Sequence, residues 1–353
     1  MRGIAALTVA AMHVTSSLVE GIPMRGSLDS WGLSLIKALS NGYGAVVAFF
    51  VISGFVLARS LDRNFSASRF LRGRIFRLFP AAITTIGLFA ALFYGFGFVV
   101  YRGASYEPLN ILANMAMLRT DIDRVMWSMK AELAATPLIF ACVWVHRRYG
   151  ARAVMAIAVV LFGLAFVGQY SKLIGDDTNL ALLFAFPVGI LVHFEGEAIA
   201  RRLTPGVAVS GILASVAAFC ACSFFKPSGT WTLLVQGLSA ATLVMLIAYR
   251  PEVRLLAVLD ARIVRFYGRI SYSFYLLHPL TFWFIGQLTG WLLHGVDGLP
   301  LTVVAVSSIL FSVAVITPLA YASWRFVELP AMNRRWSART VAVDLPVLAP
   351  GEA

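Results

Sequence analysis

Residues 2–13 read Arg-Gly-Ile-Ala-Ala-Leu-Thr-Val-Ala-Ala-Met-His, an apolar segment with an arginine at its start and a histidine at its end. On an α-helix this segment makes about three turns, so Arg2 and His13 share one face and lie roughly 16 Å apart. An ionisable side chain is costly to leave unpaired at membrane depth. The face that carries His13 is therefore predicted to contact protein or water rather than lipid.

The rest of the chain is equally apolar. It has 353 residues, of which 59% are hydrophobic and 13% are charged, with a mean hydropathy of +0.82. A soluble domain carries about 25% charged residues. Apolar runs of about 20 residues recur along the chain, without the alternation typical of a transmembrane β-barrel. The sequence predicts an all-α fold, a polytopic membrane helix bundle.

The apolar runs predict about ten transmembrane helices. They fall at about 3–20, 43–58, 79–100, 127–146, 153–171, 179–194, 206–225, 230–249, 270–292 and 300–324. Residues 108–118 are apolar but too short to span, which indicates an interfacial or re-entrant piece. We expect one membrane-embedded domain over residues 1–330 and a short disordered cytoplasmic tail over 331–353.

Basic residues indicate how the bundle is oriented. Roughly three quarters of the 29 Lys and Arg residues lie on the side that holds both termini, so both termini are predicted to be cytoplasmic. This asymmetry accounts for the net charge of +12 without nucleic acid. The three cysteines lie inside apolar runs without metal-ligand spacing, so we interpret them as packing residues and expect no metal.

Polar residues inside the apolar runs are the candidates for function. His13 suits either general-base chemistry or a structural hydrogen bond between helices. Arg74 and Arg77 are three residues apart, and fit either contact with anionic lipid or an anion site. Glu132, about a turn and a half into its span, requires a partner such as His or Arg.

Two further segments and four aspartates complete the polar inventory. Ser271, Tyr275 and His278 fall at i, i+4 and i+7, so they line one helix face as either a structural seam or part of a site. Glu328, at the end of the last span, is expected to pair with a cytoplasmic arginine. The four aspartates are predicted to be solvated in outer loops: Asp121, Asp123, Asp176 and Asp177.

Six segments in order resemble the acyltransferase 3 family of membrane O-acyltransferases. They are Arg2-Gly3-Ile4-Ala5-Ala6-Leu7 with His13, Phe49-Phe50-Val51-Ile52-Ser53-Gly54-Phe55, Arg74-Ile75-Phe76-Arg77 with Pro80, Trp127-Ser128-Met129 with Glu132, Ser271-Tyr272-Ser273-Phe274-Tyr275-Leu276-Leu277-His278, and Phe326-Val327-Glu328-Leu329-Pro330. Each segment alone is a weak signal, but together they extend from residue 2 to residue 330.

The resemblance implies an enzyme of the prokaryotic cytoplasmic (inner) membrane that moves an acyl group, often acetyl, from acyl-CoA to a hydroxyl of a carbohydrate or related acceptor. Acyl-CoA is then a co-substrate, the lipid bilayer is a partner, and a homodimer is compatible with the sequence. By this resemblance the catalytic residues are His13 and Glu132. The residues implied for donor binding and the cavity wall are Arg2, Arg74, Arg77, Ser271, Tyr272, Tyr275 and His278.

Two other functions fit the same polar residues. A transporter or flippase of a glycan or small metabolite would use His13 and Glu132 as a proton relay and would not consume acyl-CoA. A non-catalytic scaffold would use the polar pairs as links between helices and would tolerate His13→Asn.

Overall fold

The computed structural model describes residues 1–19, 26–167, 170–174, 176–226, 229–285, 287 and 300–337. The regular secondary structure of these residues is helical apart from one two-stranded hairpin. The helices are α1 (Arg2–Val19), α2 (Ser27–Leu39), α3 (Gly42–Arg63), α4 (Ala67–Phe96), α5 (Pro108–Met115), α6 (Trp127–Ala134), α7 (Thr136–Tyr149), α8 (Ala151–Val167), α9 (Ala185–Arg202), α10 (Pro205–Ala221), α11 (Thr230–Tyr249), α12 (Arg262–Leu277), α13 (Leu301–Ser323) and α14 (Leu329–Ser337).

Six segments of the described chain are long and apolar enough to cross a membrane. They are Ser27–Arg63, Ala67–Phe96, Arg124–Tyr149, Pro205–Phe224, Thr230–Tyr249 and Leu301–Asn333. A helix is also found near each of the other predicted spans, and α5 lies where the short re-entrant piece is predicted. Sequence analysis did not predict α2. The fold is thus a polytopic helical membrane protein.

Several helices end earlier or later than predicted. The predicted helix over 127–146 is interrupted at Ala135, between α6 and α7. The cause is Pro137, in the first turn of α7, which has no N–H to donate to a carbonyl of the preceding turn. The predicted start at 179 is wrong, because β1 (Tyr170–Ile174) pairs antiparallel with β2 (Asp176–Asn179) and α9 begins only at Ala185.

Glycines bring the central helices into backbone contact. A Cβ on Gly54 of α3 would lie 2.1 Å from the carbonyl oxygen of Phe186, and one on Gly189 of α9 would lie 2.0 Å from that of Val51. Small residues at such crossings are a general device of membrane helix packing. These two positions fix α3 against α9, and a larger residue at either would force the helices apart.

The helices divide into a buried centre and an outer layer. In Ser27–Arg63, which contains α3, 72% of an 18-residue apolar stretch is buried inside the protein. In Pro205–Phe224, which contains α10, only 28% of the corresponding stretch is buried. Exposed apolar side chains such as Val207, Leu213 and Val216 lie on α10. Apolar surface on this scale is expected to face lipid. The polar residues of the centre are thus placed inside the protein.

Candidate active site

Helices α1 and α12 lie side by side in the same direction and bring two histidines together. A Cβ on Gly3 would lie 2.5 Å from the backbone nitrogen of Gly268, so the two backbones touch there. Further along, Nδ1 of His13 lies 2.9 Å from Nε2 of His278, and this pair has the same sequence separation, 265, as Gly3 and Gly268. The parallel register set at Gly3 therefore carries through to the histidines.

The histidine pair is enclosed by aromatic rings. The two imidazoles are stacked, with centroids 5.2 Å apart and planes 6° from parallel. The edge of Phe282 packs against both, at 5.8 Å from His13 and 5.7 Å from His278. His278 is fully buried and its Nδ1 lies 2.6 Å from the carbonyl oxygen of Tyr275, while His13 is half-buried. One ring is thus anchored and the other is partly accessible.

A buried ion pair lies between α4 and α6. The Nη2 atom of Arg74 is 2.9 Å from Oε1 of Glu132, and the hydroxyl of Ser53 donates a hydrogen bond to the same oxygen. The pair supplies the partner that Glu132 requires. Nε and Nη2 of Arg74 nevertheless make no geometrically sound hydrogen bond within the described chain, so the 2.9 Å contact is an ion pair with poor alignment. These donors are available to another acceptor.

A small cavity of about 30 Å³ with both polar and apolar lining adjoins the ion pair. It has room for about one or two water molecules and not for a nucleotide. The predicted site residues that line it are Arg2, Arg77, Glu132, Ser271, Tyr272 and Tyr275, together with Ser128. The hydroxyl of Tyr272 donates to the carbonyl of Leu78 at 2.7 Å, which ties α12 to α4 beside the cavity.

A larger cavity of about 770 Å³ shares Arg2 with the first as a lining residue. It lies among α3, α9 and α11, and its polar lining residues are Arg2, Arg59, Asp62, His193, Glu197 and Tyr249. This volume is in the range of sites for small organic ligands and cofactors. Arg2 thus lines both cavities.

The structure brings the predicted site residues together in two groups. Arg2 interacts electrostatically with Arg74, Arg77 and Glu132, which places three cations around one carboxylate. His13 and His278 form the second group. Tyr275 connects the two, because it lines the small cavity, its carbonyl contacts His278, and its hydroxyl interacts with Ser128 at 2.9 Å.

Sequence analysis missed two residues that contact the predicted ones. Ser53, inside the apolar stretch of α3, binds Glu132, and Phe282 covers both histidines. A serine within an apolar helix next to Gly54 was a usable signal for Ser53. The sequence around Phe282 gave no such signal, because aromatic residues are frequent throughout the chain.

The expected ion pair of Glu328 is not found within the described chain. Its carboxylate accepts hydrogen bonds from the hydroxyl of Ser273 and from the Ser273 backbone N–H at 3.1 Å. The segment Trp324–Glu328 forms a π-helix, which turns Glu328 inward against α12. An arginine of the predicted side, Arg77, does interact electrostatically with Glu328, but only at longer range, because the local helix geometry turns this side chain toward Ser273.

The outer-loop aspartates that the structure describes with side chains are not simply solvated. Asp123 is fully buried, and this burial raises its pKa well above the usual range. Burial acts in the same direction on Asp121, but hydrogen bonds from Asn114, Asn110 and the Ser105 backbone outweigh it and lower the pKa. The loop folds back on α5, so the prediction of solvation is wrong for both. The side chains of Asp176 and Asp177 lie outside the described residues.

These features define a class of protein: a polytopic helical membrane protein with a histidine pair beside a buried, arginine-rich cavity. Residues 1–321 match the acyltransferase 3 family, whose matched region is described as an acyltransferase domain. The chain therefore belongs to the acyltransferase 3 family and is a membrane acyltransferase.

A curated relative supports the same assignment. The chain is 26% identical to nodulation protein 10 of Rhizobium leguminosarum bv. viciae over 387 residues, which cover 97% of this chain and 95% of that protein. No solved structure matches the chain.

Proposed function

We propose that this protein transfers an acyl group, acetyl in the simplest case, from acyl-CoA to a hydroxyl group of a carbohydrate or a related acceptor in the cytoplasmic membrane of a prokaryote. The observation that carries the proposal is a half-buried imidazole, His13, on the same helix as an arginine, Arg2, that lines both cavities. The separation of roughly 16 Å between them suits an extended pantetheine arm.

The donor is proposed to enter through the 770 Å³ cavity. Its lining offers Arg2 and Arg59 for phosphate oxygens, and Phe55 and Tyr249 for the flat face of a base. In this arrangement both termini of the chain, and the opening beside Met1, are on the cytoplasmic side, where acyl-CoA is made. The acceptor would then reach His13 from the opposite side of the membrane.

We assign Arg74 and Arg77 to the inner end of the donor site. Arg74 is 2% exposed and paired with Glu132, so it is not placed to hold a bulky nucleotide. Its spare N–H donors instead suit a single oxygen, such as an amide carbonyl oxygen of the pantetheine arm on its way to His13. Glu132 holds this guanidinium in place, and proton chemistry falls to His13. Ser271, Tyr272 and Tyr275 form the cavity wall.

The proposed reaction needs one base and no metal. His13 takes the proton of the acceptor hydroxyl, and the oxygen attacks the carbonyl carbon of the thioester. The carbon–sulfur bond then breaks, and the leaving thiolate takes the proton from His13 to give free coenzyme A. The products are the acyl ester and the thiol, and His13 returns to its starting state.

The test uses full-length protein in membrane vesicles with labelled acyl-CoA. We expect labelled glycan or membrane product to fall by about 10²-fold or more in His13→Ala, the range for loss of a general base. His146→Ala is the matched control, because the His146 side chain itself lines neither cavity and only its stacking partner Phe194 does. Equal product from His13→Ala and the parent would refute the assignment. Failure of the parent to bind or consume acyl-CoA would favour the transporter.

A further inference from the structure

The hydrogen-bond chain through the two histidines has a fixed direction. It runs from the carbonyl oxygen of Tyr275 to Nδ1 of His278 at 2.6 Å, and from Nε2 of His278 to Nδ1 of His13 at 2.9 Å. A backbone carbonyl only accepts, so Nδ1 of His278 carries the hydrogen. A neutral imidazole carries one hydrogen, so Nε2 of His278 is an acceptor. Nδ1 of His13 must therefore be the donor, which leaves the lone pair on its Nε2.

A proline makes the Tyr275 carbonyl available as the anchor of this chain. In a continuous helix the carbonyl of Tyr275 would accept from the backbone N–H four residues on, which is position 279. Pro279 has no N–H, and α12 ends at Leu277. The side chain of His278 supplies the missing donor. Its ring is thereby held in one tautomer by the way the helix ends.

The surroundings keep the His278 ring neutral. The ion pairs of the described chain include neither histidine. Their ring neighbours are Phe282 and Tyr275, whose own hydroxyl contacts Ser128 and the carbonyl of Val125 rather than either imidazole. A charge on His278 would be buried without a counter-ion. Neutral imidazoles are the state to which the tautomer argument applies.

We propose that His278 is a positioning residue that holds His13 in the tautomer with hydrogen on Nδ1, so that Nε2 of His13 is the atom that takes the acceptor proton. The role of Nε2 in taking a proton rests on the proposed function, whereas the tautomer of His13 follows from the hydrogen bonds alone. His278 plays the orienting part that a carboxylate plays in serine hydrolases, without the charge. When Nε2 of His13 gains a proton, the Nδ1–H to His278 bond becomes charge-assisted and stronger.

The first test measures the tautomer directly. Full-length protein with ¹⁵N-labelled histidine, reconstituted in lipid, is studied by solid-state NMR at a pH where His13 is neutral, and the His13 signals are assigned by their loss in His13→Asn. We expect hydrogen on Nδ1 and a bare Nε2. Hydrogen on Nε2 of His13 in the parent protein would overturn the proposal, whatever the activity of any variant.

The second test separates positioning from packing. His278→Gln keeps a carbonyl acceptor near the former Nε2, whereas His278→Met keeps volume without a strong acceptor. We expect His278→Gln to retain turnover within about tenfold and His278→Met to lose about 10²- to 10⁴-fold, the range for removing a group that orients a functional histidine or fixes its tautomer. In His278→Met, neutral His13 should also exchange between two tautomers, one with hydrogen on Nδ1 and one with hydrogen on Nε2. Equal turnover of the two variants, or an unchanged tautomer in His278→Met, would contradict the proposal.

The two proposals fail in different ways. If His13→Ala retains activity while the parent has the expected tautomer, the proposed catalytic function is wrong and the positioning contact is a structural feature. If His13→Ala is inactive and the parent carries hydrogen on Nε2, the function stands and the role given to His278 is wrong.

Discussion

The pair Arg74–Glu132 allows a quantitative test of how the site is held together. Glu132 interacts electrostatically with three arginines, Arg74, Arg2 and Arg77. In Glu132→Gln all three cations lose their shared counter-charge, whereas in Arg74→Met the carboxylate keeps Arg2, Arg77 and the Ser53 hydroxyl. The two single variants should therefore differ. Removing one partner of a buried ion pair costs about 3–5 kcal/mol of unfolding free energy.

We expect Glu132→Gln to lie at the upper end of that range and Arg74→Met to cost about 1–3 kcal/mol, because two other cations remain for the carboxylate. The double variant Arg74→Met/Glu132→Gln leaves Arg2 and Arg77 without Glu132 but removes the most buried cation. It should therefore be less destabilised than the sum of the singles by at least about 1 kcal/mol, as expected for directly coupled residues.

The measurement is reversible unfolding of purified protein in mixed micelles, followed by tryptophan fluorescence. The matched control is the ion pair Arg147–Asp62, whose charged atoms are 3.3 Å apart and whose side chains are 36% and 46% exposed. Breaking an exposed pair costs about 0–1 kcal/mol. If Glu132→Gln costs no more than Asp62→Asn, or if the Arg74 and Glu132 effects are strictly additive, the reasoning about shared charge is wrong.

Two further predictions follow from close contact and from burial. Gly3→Ala should reduce turnover by tenfold or more, because its Cβ would lie 2.5 Å from the backbone nitrogen of Gly268. This is on the order expected for misplacing a catalytic group by about 1 Å. Gly268→Ala, whose Cβ meets nothing within 4 Å, should behave like the parent in the same assay. Asp123→Asn should raise the unfolding free energy by about 1–3 kcal/mol at pH 7. Burial raises the pKa of Asp123 in the folded state, so the parent protein loses stability as the pH rises above the unfolded pKa of about 4. Below that pH, thermal unfolding scans should give the same stability for the parent and the Asp123→Asn variant. Equal activity of Gly3→Ala and Gly268→Ala, or a pH-independent effect at Asp123, would contradict these expectations.

Hydropathy was sufficient to predict most helix positions. A run of apolar residues must be helical inside a bilayer, because its backbone groups have no other hydrogen-bond partners there. The same reasoning identified Glu132 as needing a partner, which the structure supplies as Arg74. It failed where local geometry intervenes: at the proline that separates α6 from α7, and at the π-helix that turns Glu328 toward Ser273.

The partners within the site could not be predicted from spacing. Ser271 and Tyr275 line the small cavity, whereas His278, from the same predicted face, binds His13. The contact between His278 and His13 joins segments more than 200 residues apart, and no local pattern encodes the register between two such helices. That register depends on where small residues allow the backbones to meet.

The sequence by itself determined that this chain is a polytopic helical membrane protein and which polar residues are costly enough to need a purpose, because both follow from the price of burying polar groups in lipid. Only the tertiary structure decided that His13 is paired with His278, that Arg74 is paired with Glu132, and that Arg2 lines both cavities. The physical reason is that pairing is set by the approach of helices distant in sequence, and a contact at Gly3 fixes that approach for the histidines.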